Sequence, residues 1–428
     1  MKTPLAQSIL HTIESNQLFS KNEHILVALS GGIDSVVLTH ILWHLGYSMA
    51  VAHCNFHLRG EESKRDEDFV RNFAHTHNLP LHCTEFDTTN YARTQGISIE
   101  MAARELRYGY FEELCTRHGY TKIAVAHHAS DSVETFFINL LRGSGIKGLQ
   151  GIPLHNERIV RPMLGAWRSE IEEYAAEHNL SFCFDSSNAE TDFVRNKIRL
   201  TILPELQNIH KHAPQAIFNS ITHLDSYYAL AQPLVHTLCE TLCTPTPYGL
   251  CVNETALLQQ SSPAQLLYEI LSPYQFNAAQ VAQLFECFSH QAGKQFVSPT
   301  HAVYHDRHKL YIVEHNSPSD FPPEITLSEL PHKSIRIPQG NLEFLHNVIR
   351  FTENTSAIVQ EFSSENLQFP LTLRPWKSGD RIHLRASRGS KKVSDVLTEA
   401  KVPLHHKAQV WVLESAGNIL WVIGYRRA

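Results

Sequence analysis

The stretch on which the fold turns is Ile25-Leu26-Val27-Ala28-Leu29-Ser30-Gly31-Gly32-Ile33-Asp34-Ser35. Five apolar residues closed by a glycine pair predict a strand of a parallel sheet, buried on both faces. Residues 35–45 then predict a helix, with Gly46 as its C-cap. A strand that becomes a helix through two glycines makes an anion site. Backbone amides can approach a phosphate closely there, and the helix N-terminus adds about half a positive charge. The hydroxyls of Ser30 and Ser35 can donate to the same anion. Ser30, Gly31, Gly32, Ile33, Asp34 and Ser35 are therefore the candidate phosphate-binding residues. No lysine follows the glycines, which separates this loop from the G-x4-G-K-[ST] nucleotide loop. The plain structural alternative is a tight strand-to-helix turn with an N-cap serine.

Outward from that loop, strand and helix patterns alternate. Residues 49–53, 81–86 and 122–127 read as further strands, and 66–77, 100–118 and 131–141 as helices. Strands separated by helices of this length imply right-handed βαβ units, with ligands beyond the carboxyl ends of the strands. Ser30-Gly31-Gly32, His53 and His127-His128 fall at those ends. Residues 214–296 read as helical, with runs at 264–271 and 278–288. Residues 302–369 hold short apolar runs punctuated by Pro318, Pro322 and Pro323. Two strand candidates near the C-terminus, 410–413 and 419–423, flank a hairpin loop at 414–418. The expected fold is α/β: a Rossmann-like parallel sheet with helices on both faces, a helical domain, and a small α+β C-terminal domain. The boundaries expected are 1–212, 213–315, 316–370 and 371–428.

Composition narrows the class. The 428 residues are 43% hydrophobic and 19% charged, enough to bury a sizeable core and unlike a disordered chain. No run of eighteen apolar residues occurs and the N-terminus lacks a signal-peptide apolar core, so neither a membrane nor a secretory route is expected. Eight scattered cysteines without a C-x2-C pair read as reduced thiols, and the expected compartment is the cytoplasm. The net charge is −6, but it is uneven. Residues 371–428 carry eleven Lys and Arg against four Asp and Glu, or +7, leaving −13 on the rest. A basic terminal module suits a polyanion, although a solvated basic face is the bland reading.

The hexapeptide at 30–35 resembles the signature of the PP-loop ATP pyrophosphatases, which cleave ATP between the α- and β-phosphates. That resemblance implies ATP as cofactor and gives Asp34 the further role of holding Mg²⁺. More specific stretches follow: His53-Cys54-Asn55-Phe56-His57-Leu58-Arg59-Gly60, Ala103-Arg104-Glu105-Leu106-Arg107-Tyr108, and Ala126-His127-His128-Ala129-Ser130-Asp131 with Glu134-Thr135. Leu141-Arg142-Gly143-Ser144-Gly145, Gly148-Leu149-Gln150-Gly151, Arg161-Pro162, Asp185-Ser186-Ser187-Asn188 and Arg195-Asn196-Lys197-Ile198-Arg199 complete the series. In this order they resemble the tRNA(Ile)-lysidine synthetase family. Leu373-Arg374, Gly379-Asp380-Arg381, Lys391-Lys392 and Lys401-Val402-Pro403 resemble that family's last domain, while the middle matches by length and order alone. Two departures stand out: Ser132 where relatives often carry Gln, and Met163 inside the Arg-Pro-hydrophobic element.

The resemblance implies a ligase that modifies tRNA. ATP would adenylylate the C2 oxygen of the wobble cytidine in the CAU-anticodon isoleucine tRNA. Free L-lysine would then displace AMP through its ε-amine, leaving lysidine. By resemblance Asp34, Arg107, His127 and Asp131 are the catalytic candidates, the last three for lysine binding and transfer. On their own terms, Asp131 and Glu134 lie three apart and so share a helix face. Each residue has a duller reading: Asp131 as a helix cap, Arg107 as a surface residue, either histidine as one of 28. Arg195, Lys197 and Arg199 either anchor RNA or close the domain. The aromatic residues Trp376, Trp411 and Trp421 suit core packing better than base stacking. A homodimer stays open.

Rival readings are a PP-loop tRNA thiolase, a small-molecule amidating synthetase and a non-catalytic RNA-binding protein. The absence of C-x2-C weighs against the first, the basic tail and histidine elements against the second. The third would require a broken 30–35 loop or a lost Asp131, and both are intact.

Overall fold

The computed structural model describes residues 3–184, 194–246, 249–289, 294–314, 322–331, 333–345, 348–353, 359–363, 367–383, 389–407 and 409–427. Asp185-Ser186-Ser187-Asn188, Pro318, Arg385 and Arg388 lie outside the described residues. The chain forms two compact units, Met1–Leu230 and Ala231–Ala428.

The N-terminal unit runs α1 (Pro4–Ser15), β1 (His24–Ala28), α2 (Ile33–His44), β2 (Ser48–Asn55), α3 (Glu61–Thr76), β3 (Leu81–Glu85), α4 (Thr88–Gln95) and α5 (Ile99–His118). It continues with β4 (Ile123–Ala124), α6 (Ala129–Leu141), α7 (Ile146–Leu149), β5 (His155–Asn156), β6 (Ile159–Val160) and α8 (Arg168–Glu177). After α9 (Val194–Lys197) a π-helical turn, Ile198–Ile202, leads into α10 (Leu203–Ile209), and α11 (Ala213–Leu242) follows. The sheet order is β3-β2-β1-β4-β6-β5, with every pair parallel except β5–β6. The strand order thus reverses between β1 and β4, the place where open α/β sheets bind ligands.

The apolar run at 25–29 is buried on both faces by strand alternation. Ile25, Val27 and Leu29 enter one core with Ile9 and Ile13 of α1, Val36 and Val37 of α2, Phe73 of α3 and Ile171 of α8. Leu26 enters the opposite core with Phe111 and Leu114 of α5 and with Ile123. A strand covered by helices on both sides can afford no polar position, which is why the run is continuous. Strand β4 is shorter than the 122–127 run suggested, because His127 and His128 leave the ladder to begin α6.

In the C-terminal unit the part expected to be helical does carry helices, at Pro263–Leu271 and Ala278–Glu286. It also holds a five-stranded antiparallel sheet, in which His301–Asp306 pairs with Lys309–Glu314 through a two-residue turn. The helical runs mask that sheet in the sequence, because its strands are short and two of them flank the helices. Residues after 322 form a four-stranded and a seven-stranded sheet. The hairpin expected at 414–418 joins Trp411–Ser415 to Asn418–Val422. Trp411 and Trp421 are buried in a core with Phe351 and Leu373, so neither is a base-stacking residue. No helix among the described residues is long and apolar enough to cross a membrane.

Leu26 has no exposed surface. Leu26→Ala is expected to lower the stability of the N-terminal unit by about 2–5 kcal/mol, the range for a core leucine that leaves a cavity. Urea unfolding followed by a probe in that unit measures it.

Candidate active site

The loop after β1 is shaped by one backbone angle. Gly31 adopts φ +95°, a conformation that L side chains rarely take. A Cβ at Gly31 would also touch Cys183, Phe69 and Val70 at 3.6 Å, and the Gly31 carbonyl accepts from the Cys183 amide at 2.9 Å. Gly32 is the N-cap of α2, so the amides of Ile33, Asp34 and Ser35 fall in the first helical turn, where no carbonyl precedes them. These are the amides that an anion bound at the loop would meet. The two hydroxyls do something else here: Ser35 Oγ donates to the Gly32 carbonyl at 2.8 Å and accepts from the Ser30 amide at 3.2 Å. Ser30 Oγ lies 3.1 Å from Ser35 Oγ. Both serines brace the turn, and donation to a phosphate would require them to exchange these partners.

Asp34, second residue of α2, turns its carboxylate toward two other elements. Arg168, the first residue of α8, donates from Nη1 to both Asp34 oxygens at 2.9 and 3.0 Å. The buried His128 lies on the other side, its Nε2 3.8 Å from Asp34 and 3.6 Å from Asp131. The strand reversal therefore brings Asp34 and Asp131 to one imidazole, although they are far apart in sequence. Asp131 stands third in α6 rather than at its N-cap. Its Oδ2 accepts from the His128 amide at 3.0 Å, so it closes the helix end and faces the cleft at once.

The next turn of α6 carries Glu134, which is wholly buried. Arg199 from the π-helical turn grips it through two hydrogen bonds, of 2.6 and 3.0 Å, with Nη2 3.7 Å from Asp131. Arg195 adds its charge at 3.5 Å from Glu134 and donates to Thr135. Arg199 thus closes the domain. Glu134, sharing a face with Asp131, is committed to it.

His127 has cationic neighbours. Arg161 donates from Nε to His127 Nδ1 at 3.2 Å and from Nη1 to the Pro153 carbonyl at 2.7 Å. Burial is the main cause that pushes the His127 pKa down to about 4. Arg161, Arg195 and Arg104 add to the fall and Asp131 opposes it. Arg107 makes its contacts elsewhere: its guanidinium lies 5.2 Å from the Phe56 ring and its charge acts on Cys54. Within α5 it is Arg104, three residues earlier, whose charge reaches His127. His53 is a structural residue, buried with Nδ1 2.9 Å from the Leu29 carbonyl.

Sequence reading missed Arg161, Arg168 and Arg104 as parts of this group. Arg161 stands in the sequence as half of an Arg-Pro pair and Arg104 inside the 103–108 stretch, while no motif marks Arg168. Both departures are accommodated: Ser132 Oγ accepts from the Ile152 amide at 3.2 Å, and Met163 is fully buried in the core. The thiols near the cleft are poor nucleophiles, since burial pushes Cys54 up to about 12 and Cys183 up to about 11.

The Glu134–Arg199 pair sets a measurable energy. Burial raises the Glu134 carboxyl above its ordinary range against the pull of Arg199. Arg199→Met leaves that carboxylate buried with only the more distant Arg195, at 3.5 Å, to offset its charge. The expected loss at pH 7 is about 3 kcal/mol, the low end for breaking a buried pair, because the Arg199 side chain is 36% exposed. Loss of the guanidinium moves the folded-state pKa further above the unfolded one. The deficit is therefore present at neutral pH and above, and it shrinks as falling pH protonates the buried carboxyl, which happens above the ordinary glutamate range. Urea midpoints at pH 7 and pH 5 measure both parts.

Comparison with known proteins accords with this geometry. A PP-loop domain model matches residues 1–206, a "TilS substrate binding domain" matches 248–315, and a "TilS substrate C-terminal domain" matches 371–428. The tRNA(Ile)-lysidine synthase of Bacteroides thetaiotaomicron is 40% identical, over 99% of this chain and 95% of its own. That of Parabacteroides distasonis is 38% identical over 98% and 95%. That of Porphyromonas gingivalis is 36% identical over 99% and 95%. With identity at this level over nearly the whole of both chains, the chain belongs to the tRNA(Ile)-lysidine synthase family.

Proposed function

We propose that this chain forms lysidine on the CAU-anticodon isoleucine tRNA, using ATP and free L-lysine. The observation that carries the reading is the approach of Asp34, in the 30–35 loop, to His128 and through it to Asp131 across the β1–β4 boundary. An ATP site and a group able to handle a base and an amine thereby face one another. In the first step the cytidine C2 oxygen attacks the α-phosphate of ATP and pyrophosphate leaves. In the second the lysine ε-amine attacks C2, AMP leaves with the oxygen, and the amine gives up a proton.

Each residue has a task in that sequence. The first-turn amides of α2 bind phosphate oxygens, and Arg168 is near enough to share the charge once it releases Asp34. Mg²⁺ commonly binds through one or two carboxylates together with substrate phosphates, and Asp34 beside these amides suits that role. Bound there, the ion would neutralise charge on the phosphates. The candidates for lysine binding and transfer remain Arg107, His127 and Asp131, with Arg107 offering its cation to the substrate carboxylate. Residues 371–428 supply the tRNA grip, within a layout of catalytic (1–212), middle (213–315), connecting (316–370) and terminal (371–428) segments. Of the terminal cations, Arg374 is internal, paired with Asp380 and Glu414. A cytoplasmic location and a homodimer are compatible with this reading.

A thiolase is disfavoured by the high pKa values of Cys54 and Cys183. The deciding experiment supplies labelled lysine, ATP, Mg²⁺ and bulk bacterial tRNA. Label should enter tRNA only with ATP and should survive mild base, which strips aminoacyl esters. Asp34→Ala and Asp131→Ala should each slow it by about 10²-fold or more. Label from a sulfur donor instead of lysine would sink the reading.

Binding gives a second check. tRNA affinity should fall steeply with salt as counterions are released. Deleting residues 371–428 should weaken tRNA binding far more than ATP binding, and equal losses would refute the division of labour.

A further inference from the structure

His127 and Asp131 both stand near the reaction, and an amine must lose a proton there. Their hydrogen bonds distinguish them. A guanidinium has donors and no acceptor, so the Arg161 Nε–H at 3.2 Å makes His127 Nδ1 the accepting nitrogen. The ring proton must then sit on Nε2. Arg161 is itself held: it is 4% exposed, and its Nη1 is tied to the Pro153 carbonyl. The charged groups that face the ring come from four elements. They are Asp131 of α6, Arg161 after β6, Arg195 of α9 and Arg104 of α5. Three of the four are cations, which disfavour a second proton on the ring.

We propose that Arg161 is a positioning residue that fixes His127 as a neutral Nε2–H hydrogen-bond donor. His127 then stabilises charge on the α-phosphate or on the departing C2 oxygen, and the proton of the attacking amine goes to a carboxylate. Neutral imidazole can act as an electrophile in this way when its surroundings hold its pKa low. The remaining carboxylate candidates divide unequally. Glu134 is buried and held by Arg199, whereas Asp131 spends one oxygen on the His128 amide and keeps the other 3.7 Å from Arg199. Asp131 is therefore the acceptor, and the two candidates perform different halves of the transfer. The donor role rests on the lysidine reading above; the tautomer does not.

The test has two parts. In the full-length protein, ¹⁵N resonances of His127, assigned by comparison with His127→Gln, should report a protonated Nε2 and a bare Nδ1 from pH 5.5 to 8. Arg161→Met should mix the tautomers and let the ring titrate nearer its ordinary value of about 6.5. Arg161→Lys, which retains a donor, should restore part of the signature. In single-turnover lysine transfer, His127→Ala should lose about 10²–10³-fold, as when one charge-stabilising donor is removed. His127→Gln, which keeps an N–H donor but cannot act as a base, should recover about tenfold of that loss. A wild-type Nδ1–H signature would overturn the proposal, and so would a His127→Gln protein no faster than His127→Ala. Absence of transfer with the Nε2–H signature intact would sink the lysidine reading and leave Arg161's hold on the tautomer standing.

Discussion

The site depends on one strand pairing with neighbours that arrive in opposite orders. Strand β1 hydrogen-bonds to β2 on one edge and to β4 on the other, with Leu26 opposite Ala50 and Ile123. The Leu26 amide takes the Lys122 carbonyl at 2.8 Å. Since all three strands are parallel, their carboxyl ends open on the same side. The loop after β1 and the His127-His128 pair after β4 are thereby adjacent, although about a hundred residues separate them. Were β4 to pair elsewhere, the 30–35 loop would remain but Asp34 and Asp131 would not meet at His128.

Charge is distributed around that opening in a consistent way. Three carboxylates, Asp34, Asp131 and Glu134, are each within reach of an arginine: Arg168 for the first and Arg199 for the other two. Carboxylates so close would repel one another if left uncompensated, and an ATP arriving among them would be repelled as well. The arginines resolve both problems, since a guanidinium can turn from carboxylate to phosphate without changing charge. The exposed Arg168–Asp34 contact is the easier one to exchange. The Arg199–Glu134 contact is buried at its acidic end and therefore structural. Distance from solvent, more than residue type, separates a movable arginine from a fixed one.

Much of this was legible in the chain, for reasons that can be named. The strand at 25–29 is continuous because it is covered twice, and glycine is required at position 31, where φ reaches +95°. Both signals are local, so a sequence carries them openly. The α/β architecture follows from them. The middle sheet was less visible: its short strands flank stretches whose helical periodicity dominates. Arg161, Arg168 and Arg104 were invisible as site residues because their roles come from tertiary contact. Arg161 meets His127 across 34 positions, and Arg168 meets Asp34 across 134. Arg107 was favoured over Arg104 by resemblance alone, and helix phase decides which of the two acts on His127.

Two adjacent histidines make the same point more sharply. In the sequence His127 and His128 are indistinguishable. In the fold the strand ends at Ala124 and the helix begins at Ala129, so both rings lie in the connection and meet different neighbours. One faces arginines and accepts from Arg161; the other is buried between Asp34 and Asp131. The three arginines around His127 disfavour a second proton on its ring, whereas the Nε2 of His128 stands between two carboxylates and beyond hydrogen-bond distance of either. The short β4 is what permits this, since a strand continued through 128 would place both rings in the ladder and neither at the helix entry. A reaction that needs charge stabilised at phosphate and a proton taken from an amine requires two electrostatic environments within one cleft. Ending β4 at Ala124 and starting α6 at Ala129 gives the two consecutive histidines different neighbours and sets Asp131 beside the second of them.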